Sequence, residues 1–75
     1  MAKHLNEPAA IELVARNVRK YRQANNMSME TLADLIGIEY SVIARLELKK
    51  SNPSISLIYA IAKNLHIKVA QLFEE

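Results

Sequence analysis

The sequence predicts an all-α fold, a compact bundle of five helices, and three observations carry that prediction. Apolar residues recur at intervals of three and four along successive segments, the period of one face of a helix. A single glycine occurs in 75 residues, with no long loop signal. Ser28 and Ser54 each stand directly before an apolar-periodic stretch, where a side-chain oxygen can accept from an unpaired amide of the first turn. Half the residues are apolar but only 5% are aromatic, so the core must be built from Ile, Leu, Val and Ala. A chain of this length has room for one domain, and buries only about 60% of the surface its unfolded form exposes. The expected organisation is a single domain over 1–75, in which 1–7 form a flexible N-terminal extension.

The first helix is expected to start near Pro8, a residue suited to a first turn. Ile11, Val14, Ala15, Val18 and Tyr21 or Arg22 keep one face apolar through about Ala24, with Arg16, Arg19 and Lys20 on other faces; Arg19 and Lys20 are read as ordinary surface first and as further phosphate contacts second. Asn25-Asn26 breaks the pattern. Ser28 caps a second helix whose buried stripe is Leu32, Ala33 and Ile36. Gly37 supplies the positive φ that follows its end, and Ile38 can pack back on it. A third helix runs from about Tyr40 to Leu48, with Val42, Ile43 and Leu46 inward and Tyr40, Ser41, Ala44 and Arg45 outward. Lys49 to Pro53 is a polar connection, and Ser54 caps a fourth helix striped by Ile55, Ile58, Ile61, Ala62 and Leu65 that ends before His66. A last short helix from about Lys68 to Phe73 closes the core with Val69, Leu72 and Phe73. The second and third helices, joined by a turn containing Gly37, form a helix-turn-helix, an arrangement that suits the second of the pair to lie in a DNA major groove.

Composition excludes several alternatives. Without cysteine there is no disulfide framework and no thiolate metal site. The N-terminal residues lack the apolar stretch of a signal peptide, and the longest apolar run, Leu57 to Ala62, is far short of the roughly 20 residues needed to span a bilayer. A cytoplasmic protein with no membrane partner is expected. His4 and His66 are isolated, and no carboxylate pair or glycine-rich phosphate loop has suitable spacing. The expectation is therefore not an enzyme, with no metal, no cofactor and no evident small-molecule ligand. A formal net charge of +2 is compatible with an anionic partner without demanding one.

Several landmarks stand in one register: Val18-Arg19-x-x-Arg22, Ser28-x-Glu30-x-Leu32-Ala33, Gly37-Ile38 and Ile43-x-x-Leu46-Glu47. Asn52-Pro53-Ser54 and Ile61-Ala62-x-x-Leu65-x-Ile67-x-x-x-x-Leu72-Phe73 complete the series. Over Val14 to Phe73 this pattern resembles the lambda-repressor-like helix-turn-helix proteins, the XRE or Cro/C1 family. The resemblance implies a five-helix fold and sequence-specific binding of double-stranded DNA, usually as a homodimer on a palindromic or repeated operator. Three positions depart from the family. Met29 stands where a glutamine usually contacts phosphate and braces the recognition helix. Lys49 replaces the glycine after the third helix, and must adopt an awkward backbone or extend that helix. His66 replaces the glycine before the last one.

The resemblance assigns base contacts to Tyr40, Ser41 and Arg45. The Arg45 fork can donate to guanine O6 and N7, and its alternative is an ion pair with Glu39 or Glu47. Tyr40 either contacts a sugar or thymine methyl, or covers the helix end. Ser41 offers contact with little discrimination. Glu39 is read as favouring the positive end of the helix. Phosphate contacts are assigned to Lys49, Lys50 and Asn52, and to the start of the second helix at Ser28 and Met29. Arg22 and Glu47 form a structural ion pair in this family. Outward candidates for a dimer interface are Tyr59, Ile67, Val69 and Phe73, with Val69 and Phe73 assigned to the core first. The expected function is a homodimeric transcriptional regulator, a repressor or a controller-type protein. The alternative is an antitoxin or other protein-binding module on the same fold, which often carries a disordered segment that folds on its partner.

Overall fold

Pro8, whose ring presets φ for a first turn, opens α1 (Pro8–Ala24), the longest helix of the chain. The structure, a computed structural model, describes residues 5–75, so the first four residues of the expected extension lie outside the described residues. Three short helices follow: α2 (Met29–Ile36), α3 (Tyr40–Glu47) and α4 (Ile55–Asn64). No strand occurs among the described residues. In place of a fifth α-helix, Val69–Phe73 forms a 3-10 segment. Five residues are too few to repay helix nucleation. The Gln71 amide closes the tighter bond to Lys68 O at 2.9 Å. Buried Asn17 of α1 donates to the Leu72 and Glu74 carbonyls at 3.0 and 2.9 Å, which fastens the segment to α1 instead of extending it.

The helix starts follow the serine caps. Ser28 Oγ accepts from the Thr31 amide at 3.0 Å, and Ser54 Oγ accepts from the Leu57 amide at 3.1 Å. The helix ends share one closure. A left-handed residue follows each of α1 to α4: Asn26 (φ 53°), Gly37 (φ 87°), Lys49 (φ 62°) and His66 (φ 60°). Behind each, the next amide reaches back five residues: Met27 to Arg22 O, Ile38 to Ala33 O, Lys50 to Arg45 O and Ile67 to Ala62 O, all at 2.9–3.0 Å. This is the Schellman arrangement, which satisfies the last carbonyls of a helix. Lys49 therefore takes the left-handed backbone and does not extend α3.

Val14 and Val18 of α1 meet Leu32 and Ala33 of α2, Ile43 and Leu46 of α3, and Ile58, Ile61 and Ala62 of α4, with Leu65 and Leu72 filling the base. Four residues assigned inward lie outside. Val42 is exposed because about 100° of rotation per residue carries it from Ile43 past the covered sector of α3. Ile55, 87% exposed, sits in the first turn of α4, which projects beyond the core. Val69 and Phe73 are exposed on the 3-10 segment: Phe73 stands about 120° around from buried Leu72, whereas Val69 shares the Leu72 side but opens the segment, where it lines a groove. Ile36 is only partly buried.

Candidate nucleic-acid interface

The inner side of α3 is fixed at two levels. Ile43 and Leu46 are fully buried against α1 and α2. One turn on, the Glu47 carboxylate is buried and accepts from two guanidinium groups of α1. Arg22 grips it bidentately along one edge of its guanidinium, Nε to Oε2 at 2.7 Å and Nη2 to Oε1 at 2.9 Å. Arg22 Nη1 also donates to Met27 O at 2.8 Å, so the same side chain holds the α1–α2 turn. Hydrogen bonding to Glu47 raises the Arg22 guanidinium above its ordinary pKa, against the opposing effect of burial. Arg19, assigned from sequence to ordinary surface, adds a third contact, Nε to Glu47 Oε1 at 3.2 Å. Its signal in the sequence is the spacing of three from Arg22, which sets both on one side of a helix.

With its inner face held, α3 presents Tyr40, Ser41, Val42, Arg45 and the following Leu48 to solvent. Arg45 pairs with neither Glu39 nor Glu47; its Nη2 donates to Lys50 O at 3.3 Å. That leaves most of its five donors for an outside acceptor. Glu39 is the N-cap residue of α3 and makes no side-chain capping bond, so its carboxylate acts on the helix end only as a charge.

The residues assigned to phosphate separate. Ser28 and Met29 lie at the start of α2, where the first amides precede any intrahelical bond. The Met29 side chain packs against the core. Lys50 is exposed beyond α3. Lys49 turns toward α1 and pairs with Glu12, Nζ to Oε2 at 3.4 Å, on the surface. Asn52 donates to Leu5 O at 3.1 Å and to Asn6 Oδ1 at 3.0 Å, which uses both hydrogens of its amide. Its side chain holds the residues before α1 and has no donor left for a phosphate.

A second surface lies elsewhere on the molecule. Tyr59, Val69 and Phe73 line an apolar groove of about 340 Å³ with Ile11, Ile55 and Ile58. Ile67, the fourth dimer candidate, packs against the core instead. No helix is long and apolar enough to cross a membrane, and no group of three or more metal-ligating side chains occurs, among the described residues.

Two short helices at a glycine turn, the second anchored inside and exposed outside, define a helix-turn-helix protein. The family described as Helix-turn-helix (HTH_3) matches residues 18–72, and the chain belongs to it, within the Cro/C1-type group. The chain is 39% identical over 61 residues to control protein C.SmaI of Serratia marcescens, an alignment covering 81% of this chain and 73% of the relative. The restriction–modification controller protein C.AhdI of Aeromonas hydrophila superposes with a TM-score of 0.80 at 32% identity, covering 84% of this chain and 96% of that one. A second controller, C.Esp1396I, described as a tetramer in complex with its natural 35 base-pair operator, superposes at 0.77. It is 23% identical, covering 85% of this chain and 84% of the other, a likeness of fold alone.

Proposed function

We propose that this protein is a sequence-specific regulator of transcription that binds duplex DNA as a homodimer, with α3 in the major groove. The observation that carries this reading is the division of α3. Its inner face is locked by Ile43, Leu46 and Glu47, while Tyr40, Ser41 and Arg45 stand exposed on the outer one. A recognition helix needs that combination, since base edges are read only if the reading side chains are held in register. Similarity to C.SmaI and C.AhdI supports the controller-type reading in particular.

In this reading Tyr40, Ser41 and Arg45 meet the bases. Lys50 and the first amides of α2, at Met29, meet the flanking phosphates. Lys49 and Asn52 serve the scaffold. Dimerisation uses the groove of Tyr59, Val69 and Phe73, with Ile67 supporting it from beneath. Residues 1–75 act as one domain with a short N-terminal extension, in the cytoplasm, without catalysis or a cofactor. The 3-10 segment takes the place of the family's fifth helix.

Selection from a random duplex pool at near-physiological salt tests the proposal. Enrichment of a symmetric or repeated site supports a dimeric DNA-binding regulator and gives the half-site spacing. Recovery of unselected DNA alone, or of none, overturns it in favour of the antitoxin-type reading, in which the fold binds a protein.

A further inference from the structure

Val42, Arg45 and Leu48 follow one another at intervals of three along α3 and its C-cap, and all three are exposed. Val42 is 37% exposed and Leu48 58%, although both are apolar. Intervals of three advance about 60° around a helix, so the two apolar side chains flank Arg45 within a strip of about 120°. From Tyr40 to Leu48, Arg45 is the one exposed charge, because Glu47 is buried beneath Arg22. The strip is therefore a single strong donor between two apolar contacts.

Resting on the regulator reading above, we infer that Val42 and Leu48 determine specificity by contacting thymine methyl groups on either side of a guanine read by Arg45. Chemistry selects this occupant. In the major groove guanine offers two acceptors to an arginine fork, and the thymine C5 methyl is the apolar feature of the groove. Dimensions agree with it: six residues rise about 9 Å along α3, between two and three base-pair steps of about 3.4 Å. Arg45 makes a single long internal hydrogen bond, to Lys50 O at 3.3 Å, so its guanidinium keeps donors for the guanine. The half-site implied is a short, thymine-rich element with one critical guanine.

Deoxyuridine substitution tests this directly, because it removes the C5 methyl and preserves base pairing. The selected duplex is prepared with each thymine replaced in turn, and affinities are measured by fluorescence anisotropy for the wild type, Val42→Ala and Leu48→Ala. At one or more thymines beside the guanine, the wild type is expected to lose about fourfold in affinity, the worth of one buried methyl-sized group. The matching alanine variant should show no such loss at that position. Both side chains are exposed, and unchanged thermal melting of the variants confirms that the fold is intact. A selected site whose affinity is indifferent to uracil at every thymine overturns this inference and leaves the regulator reading standing. Failure to select any site overturns both.

Discussion

At the scale of single residues, Glu47 and Arg45 show how one short helix divides its labour. Glu47 is a buried charge satisfied by Arg22 and Arg19. Breaking such a pair from one side costs about 3–5 kcal/mol, whereas replacing both partners with apolar residues is often neutral. The whole domain is expected to be stable by only about 4–11 kcal/mol, at the usual 0.05–0.15 per residue. Glu47→Ala should therefore remove a large fraction of that stability and lower the urea midpoint accordingly, while Arg22→Met with Glu47→Leu stays near the wild-type midpoint, as urea denaturation will show. Because the Arg22 pKa is raised, its contribution is complete below the arginine's ordinary value. It is lost only as pH rises past the raised one, so its side of the pair adds no pH dependence near neutrality. Arg45 makes one weak internal bond, so Arg45→Ala should leave melting unchanged. The expected loss is in base preference, about 1–3 kcal/mol at one position, read by competition between duplexes differing at that base pair.

At the scale of elements, the helix ends carry the clearest strain. Four Schellman closures require four left-handed residues, and glycine supplies only one of them. Asn26 tolerates that conformation through its short polar side chain, but Lys49 and His66 hold it against a Cβ that prefers otherwise. Lys49→Gly and His66→Gly should each raise stability by about 1 kcal/mol. The Lys49–Glu12 bridge lost in the first is exposed on both sides and worth little. A rise of several degrees in the melting temperature for each variant, additive in the double, is the expected result. A fall for Lys49→Gly would show that its side chain contributes more than the surface pair suggests. The serine caps on α2 and α4 are legible from sequence because a cap is a local bond of three residues' span. The Schellman closure at Asn26 was missed because Asn25-Asn26 reads only as a break.

At the scale of the whole molecule, the proposed function gives two exposed surfaces different partners. In that proposal the outer side of α3 and Lys50 face DNA, and the groove of Tyr59, Val69 and Phe73 faces a second copy. Phe73→Asp should convert a dimer to a monomer in sedimentation, leave the helical circular dichroism unchanged, and weaken binding to a two-half-site duplex far more than to a single half-site. Lys50→Ala should reduce the salt dependence of DNA binding by about 0.9 in slope per subunit, about 1.8 for a bound dimer that loses one phosphate contact from each half. Lys49→Ala, whose ammonium already faces Glu12, should leave that slope nearly unchanged.

Sequence alone determined the four α-helices, the caps at Ser28 and Ser54, and the turn at Gly37, because periodicity, capping and positive φ act within a few neighbouring residues. It also pointed to the family, since the landmarks from Val18 to Phe73 sit at fixed spacings. Tertiary structure decided what depends on which element lies alongside. Val42, Ile55, Val69 and Phe73 are as apolar as the core residues beside them, and their exposure follows from which side and which end of each element the bundle covers. Arg19 turns to Glu47, Lys49 to Glu12, and Asn52 to Leu5 and Asn6, partners 28, 37 and 46–47 residues away in the chain. Long-range pairings of this kind have no local pattern. They exist only once the bundle has set the helix ends side by side.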